Sequence, residues 1–192
     1  MSKAQGGALC PDEIMATLVG LLQQDEPAGL ARLDELAGRY PDDARLLFLK
    51  GSMMAARKDY DGARKAMRQA VDAAPDFAIA RFQLGFLLLT CGEPWAARET
   101  WGPLHGLPEG HYLLHFVRGL SHLIHDAFPA AIGELERGIA ANSENLPLNR
   151  DMRLIIDEIR RKELAGGAGG QGSDVSSAQL LLQQASLRAT RH

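Results

Sequence analysis

Four histidines, His111, His115, His122 and His125, share one short stretch of the chain. At 100° per residue a helix puts them on an arc of about 80°, with Arg118 among them. Imidazoles at three- and four-residue spacing can hold a transition metal, and they change charge near neutral pH. Arg118 in the middle of the stripe would repel a cation, and no cysteine or carboxylate lies within it. The other side of the segment carries Leu113, Phe116, Leu120, Leu123 and Ile124. The stripe therefore reads first as the polar side of a helix, with a metal- or pH-responsive contact as a second possibility. Cys10 and Cys91 have neither metal-ligand nor disulfide-framework spacing. The chain contains no phosphate loop, no nucleophile elbow and no H-E-x-x-H. Its single carboxylates form no acid–base pair. No catalytic residue, metal ligand or cofactor is assigned, and the expectation is a protein that is not an enzyme.

Composition is consistent with this. The chain has 192 residues, 46% hydrophobic and 23% charged, with a formal net charge of −3. That is enough for one domain or a short repeat array. Acids and bases are mixed and no basic block stands out, so nucleic acid is not an expected partner. No apolar run approaches the ~20 residues of a membrane span. Ala8-Leu9-Cys10 has the form of a lipoprotein cleavage site but lacks the apolar stretch before it. The expected location is the cytoplasm, with no membrane partner.

The strongest signal is a 34-residue period. It relates Gly51, Gly85 and Gly119, then Ala63, Ala97 and Ala131, then Phe48, Phe82 and Phe116. A large apolar residue recurs at Met67, Trp101 and Leu135, and prolines stand at Pro41 and Pro75. Small residues at fixed spacing let two helices approach closely, large ones fill the gap to the next pair, and proline stops a helix. A helical hairpin of this kind cannot bury its apolar face alone, so neighbours must stack.

These columns resemble the tetratricopeptide repeat (W-x2-L-G-x2-Y, then A-x3-F, then P). The clearest copy carries Leu47, Gly51, Met54, Ala63, Met67 and Pro75, and the next carries Leu84, Gly85, Leu88, Ala97 and Trp101. The third has Gly119, Ala131 and Leu135 but departs from the pattern at His115, Arg118 and His122. A degenerate copy precedes them, with Leu33 and Pro41 in place and Thr17 and Gly29 where Gly and Ala are usual. The resemblance implies an all-α solenoid of three clear repeats, near 44–77, 78–111 and 112–145, plus the degenerate N-terminal one.

Helices are expected near 12–24, 27–38, 43–57, 60–73, 77–90, 94–104, 111–125 and 128–141. The sixth should be short or bent because Gly102, Pro103, Gly106 and Pro108 interrupt it. Leu148 to Leu164 reads as a capping helix, apolar along Leu148, Met152, Ile155, Ile156 and Ile159, with Asn149 on the polar side. The array with its cap spans 10–164. A glycine-rich linker follows over 165–174, then an amphipathic tail over 175–192 with Leu180, Leu181, Leu182 and Leu187. Trp95 and Trp101 are expected to be packing residues.

In the resembled family the first helix of each repeat lines a concave groove through its second, fifth, ninth and twelfth positions. Here those places hold Arg45, Phe48, Ser52 and Ala55, then Ile79, Phe82, Phe86 and Leu89, then Leu113, Phe116, Leu120 and Leu123, with Ile14, Leu18 and Leu21 in the same columns of the degenerate copy. Such a groove is apolar, which disfavours a carboxylate clamp. It suits a peptide or amphipathic helix from another protein, or the chain's own tail. The same residues could instead be core. The functional expectation is an interaction scaffold or adaptor, or a small chaperone for secreted or membrane-directed subunits.

Overall fold

The computed structural model describes residues 8–165 and Leu182. The expected linker and the tail helix with its Ser173-Asp174 cap lie outside the described residues, apart from Leu182. Among the described residues the regular structure is helical. In order it comprises α1 (Asp12–Gln24), α2 (Glu26–Arg39), α3 (Ala44–Ala56), α4 (Tyr60–Ala73) and α5 (Ala78–Thr90). Then come α6 (Pro94–Trp101), a 3-10 turn (Gly102–Gly106), α7 (Tyr112–Ile124), α8 (Phe128–Ala141) and α9 (Leu146–Ala165). The interrupted sixth helix is thus a two-turn helix continued by 3-10 backbone, with Pro103 in its first turn. The chain divides into two compact units, Met1–Leu84 and Gly85–His192.

In the first unit α1 pairs with α2, α2 with α3, and α3 with α4. Cys10, Met15, Leu18, Leu33, Leu36 and Leu46 form a shared core. Three aspartates start helices there. Asp25 accepts from the Ala28 N–H, Asp43 from Arg45 and Asp59 from Gly62, each at 3.0 Å, which satisfies donors that a helix start leaves open. In the second unit α7 and α8 form a hairpin and α9 lies against α8.

The period has a steric cause. A Cβ on Gly51 would lie 2.7 Å from Met67 Cγ and 3.2 Å from the Ala63 carbonyl. On Gly119 it would meet Leu135 Cδ2 at 2.8 Å and the Ala131 carbonyl at 3.2 Å, and on Gly85 it would meet the Trp101 indole. In the first copy the small residue has changed helix. A Cβ on Gly29 of α2 would sit 2.7 Å from the Cα of Leu22 in α1, so α2 supplies the gap that Thr17 does not.

The turns of the three hairpins after the first share a device that composition hides. Lys58, Gly92 and Asp126 have φ of 65°, 83° and 53°. All three close a Schellman motif: Asp59, Glu93 and Ala127 donate to the carbonyls of Met54, Leu88 and His122, and the residues before them donate to Ala55, Leu89 and Leu123. Asn149, expected on the polar side of α9, is buried. It accepts from Asn142 Nδ2 at 2.8 Å and donates to the Asn142 carbonyl at 2.9 Å. This pair fixes the corner between α8 and α9.

Candidate partner-binding residues

The sequence-derived groove residues fall into three groups. In α3, Arg45, Phe48 and Ser52 are half-buried. Phe48 sets its ring edge-on to Phe77 at 5.4 Å, and the Ser52 hydroxyl donates to the Phe48 carbonyl. In α5, Ile79 and Phe86 are half-buried while Phe82 and Leu89 are buried, Phe82 at 0% exposure. In α7, Leu113, Phe116, Leu120 and Leu123 are all buried at 0–1%. Phe116 rests where a Cβ on Gly138 would be, so Gly138 makes room for its ring. The accessible apolar members are therefore Phe48, Ile79 and Phe86.

Arg45 is committed elsewhere. Asp43, 1% exposed, receives Arg45 Nε at 3.0 Å and Nη2 at 2.8 Å, a two-point pair, together with the N–H groups of Cys10 at 2.9 Å and Arg45 at 3.0 Å. Arg45 also donates to the Cys10 carbonyl and to Asp12 Oδ1, both at 2.5 Å. The group clasps the chain ahead of α1 to the start of α3. Burial pushes the Asp43 carboxyl up. Its hydrogen bonds from Arg45 and Cys10 outweigh that and hold it below its ordinary 3.8. Burial and the nearby Asp43 charge raise the Cys10 thiol. Sequence reasoning missed this group because its members lie far apart along the chain.

The histidine stripe separates into different contacts. A His111 ring nitrogen caps α7 by accepting from the Leu113 N–H at 3.1 Å, and its ring stacks on Tyr112. His115 Nδ1 lies 2.8 Å from Glu134 Oε2, and His125 Nε2 lies 3.3 Å from Arg98 of α6. Arg118 is paired with Glu109 through two hydrogen bonds of 2.6 and 2.8 Å. Among the described residues no three His, Cys, Asp or Glu side chains come together as a metal would need. Burial raises the Glu134 carboxyl, but the bond from His115, with Arg137 beside it, brings it below its ordinary 4.5. Trp95, expected to pack, is instead 76% exposed near the start of α6, while Trp101 is fully buried. At 100° per residue Trp95 points 120° away from Trp101, off the buried side of the helix. Among the described residues no helix is long and apolar enough to cross a membrane.

The fold defines a class, the helical-repeat proteins built from stacked hairpins. Residues 23–78 match the family model described as tetratricopeptide repeat, and over that stretch the chain is similar to the tetratricopeptide-repeat proteins. Two solved structures share the fold. One is MamA 41-end from Desulfovibrio magneticus RS-1, with 13% identity, a TM-score of 0.56, and coverage of 94% of this chain and 93% of that one. The other is PilW, a widely conserved type IV pilus biogenesis factor, with 18% identity, a TM-score of 0.61, and coverage of 93% and 77%. Among curated proteins no sequence matches.

Proposed function

We propose that this chain is an interaction scaffold or adaptor that receives a peptide or amphipathic helix of another protein on the apolar positions of its first helices. Repeats of this family serve protein–protein interaction and are typically non-catalytic, and this chain carries them. The finer reading is supported by one observation above all. Phe48 and Ile79, both in the first unit, occupy family groove positions, are large and apolar, and are only half-buried. Aromatic side chains with residual exposure on a rigid helix are the usual anchors of a protein interface. Arg45, bound to Asp43 and Asp12, is not free to clamp a partner's carboxylate. The metal-responsive alternative loses support from the separate partners of His111, His115 and His125.

A sharper version makes the partner an apolar secreted or membrane-directed subunit that the chain keeps soluble. Co-expression tests it, since such a client should move from the insoluble to the soluble fraction. The location we propose is the cytoplasm, which cell fractionation checks. The main test is affinity capture from native extract with wild type, Phe48→Glu/Ile79→Glu and the control Trp95→Ser, each shown to be folded by circular dichroism. We expect specific partners to be lost from the double variant and kept by the control. Partners retained by a folded double variant would refute the groove reading.

A further inference from the structure

We propose that the outer face of α9 is a self-association surface, on which the same helix of a second copy lies antiparallel, the two related by a twofold axis level with Ile155. Such pairing is independent of the function proposed above.

The helix itself defines the face. Ile155 is 1% exposed and marks the side of α9 that enters the core. Leu146, Arg150, Arg153, Asp157, Arg160 and Leu164 all point within about 40° of the opposite direction. Their spacing alternates four and three residues. That spacing draws a straight seam along a helix, the strip by which two helices lie side by side. All six side chains are exposed. Leu146 and Leu164, at 64% and 88% exposure, stand at the two ends of the seam, about 27 Å apart. A helix that only capped a repeat array would turn a polar face outward, and two large leucines in register on that face are not needed for it.

The order of residues along the seam selects the occupant. It is balanced about Ile155. Leu146 and Leu164 lie nine residues away on either side, Arg150 and Arg160 five, and Arg153 and Asp157 two. A second α9 running the other way therefore sets Leu146 against the second copy's Leu164, and Arg153 against the second copy's Asp157. Each contact occurs twice, because a twofold interface uses the same patch on both copies. A parallel copy would instead oppose each arginine to itself and Asp157 to itself, and like-charge repulsion disfavours that arrangement.

The charges fit the antiparallel arrangement. Among the described residues Arg150, Arg153 and Asp157 make no ion pair, which leaves two guanidinium groups and one carboxylate for a partner. Arg160 is already bonded to Glu136 of α8 at 2.7 Å, and Arg161 to Glu158. Arg150 and the second copy's Arg160 come level in the pair. They stand on opposite edges of the seam, about 80° apart round the helix, and Glu136 neutralises the latter. Two helices about 10 Å across that meet over about 27 Å form a contact in the small class, under about 1,200 Å². The dimer is accordingly weak and reversible, and salt weakens it further.

The test is sedimentation velocity on the full chain, from micromolar to millimolar concentration, at low and high salt. Wild type should show a monomer–dimer equilibrium that shifts to monomer as salt rises. Arg153→Asp alone opposes carboxylates across the twofold axis, and Asp157→Arg alone opposes guanidinium groups, so each should dimerise at least about tenfold more weakly. Mixed together, the two variants oppose an aspartate to an arginine at both crossings, and the mixture should dimerise as wild type does. Circular dichroism first shows that each variant is folded. Should Arg153→Asp not be, Leu164→Lys takes its place and should likewise lose the dimer. A wild type that stays monomeric overturns the inference. So does a dimer that the folded variants retain, or a mixture of the two charge variants that recovers nothing.

Discussion

Replacing Asp43 with alanine probes the first unit most sharply. The substitution removes a helix cap, worth about 1 kcal/mol. It also removes a charge-assisted bond to the buried Cys10 N–H, worth about 1.5 kcal/mol. The two-point pair with Arg45 goes too. Arg45 is 34% exposed and keeps Asp12, so solvent screens that pair and its loss is taken at about 1 kcal/mol. The total is about 3.5 kcal/mol, concentrated where the chain enters α1. Two assays read it. Urea unfolding followed by circular dichroism should show a lower midpoint. Alkylation of Cys10, resolved from Cys91 by peptide mass mapping, should speed up about 300-fold if the thiol reacts through local opening. The acid response adds a sign. The folded-state carboxyl sits below its ordinary 3.8, so its stabilisation is present above that pH and is lost as pH falls through the folded value. Asp43→Asn should lack that loss. An alanine variant with an unchanged midpoint and Cys10 labelling within threefold of wild type would falsify the clasp.

Other consequences are separate. Gly119→Ala drives a methyl into Leu135 and the Ala131 carbonyl and should destabilise the second unit by about 1–3 kcal/mol in thermal melts, and an unchanged Tm would contradict the close approach. Asp126→Gly relieves a left-handed backbone, and because only the turn changes it should stabilise by up to about 1 kcal/mol in urea titrations. Glu134→Gln removes a carboxyl held below its ordinary 4.5. The variant should be less stable than wild type above that pH and converge with it as the medium becomes more acidic, and parallel curves down to pH 3 would rule out the His115–Glu134 bond.

Particular residues show how far the sequence could be read. Gly51 and Gly119 were legible because the hairpins demand an absent side chain at one fixed place, and a steric demand of that kind repeats with the fold. The left-handed turn position was hidden because only Gly92 fills it with glycine, while Lys58 and Asp126 accept the strain. A search for the 34-residue spacing of Lys58, Gly92 and Asp126 would have found it. The Asp43 clasp left no periodic trace, since it joins Asp43 and Arg45 to Cys10 ahead of α1 and to Asp12 at its start. Trp95 misled by type, although its angle from Ala97 and Trp101 already set it apart. The histidines looked like one stripe because α7 was considered alone, whereas their partners stand on α6, on α8 and in the backbone of α7 itself. For Leu113 and Leu120, periodicity identified an apolar face but carried no information about what covers it.

The central claim is that a partner docks on the first-helix positions. Photo-crosslinking in living cells tests it most directly, with p-benzoyl-phenylalanine placed in turn at Ser52, at Ile79 and at the exposed Trp95. The account predicts one discrete protein adduct shared by positions 52 and 79 and absent at 95. An adduct at position 95 alone, or the same adduct at all three, would contradict it.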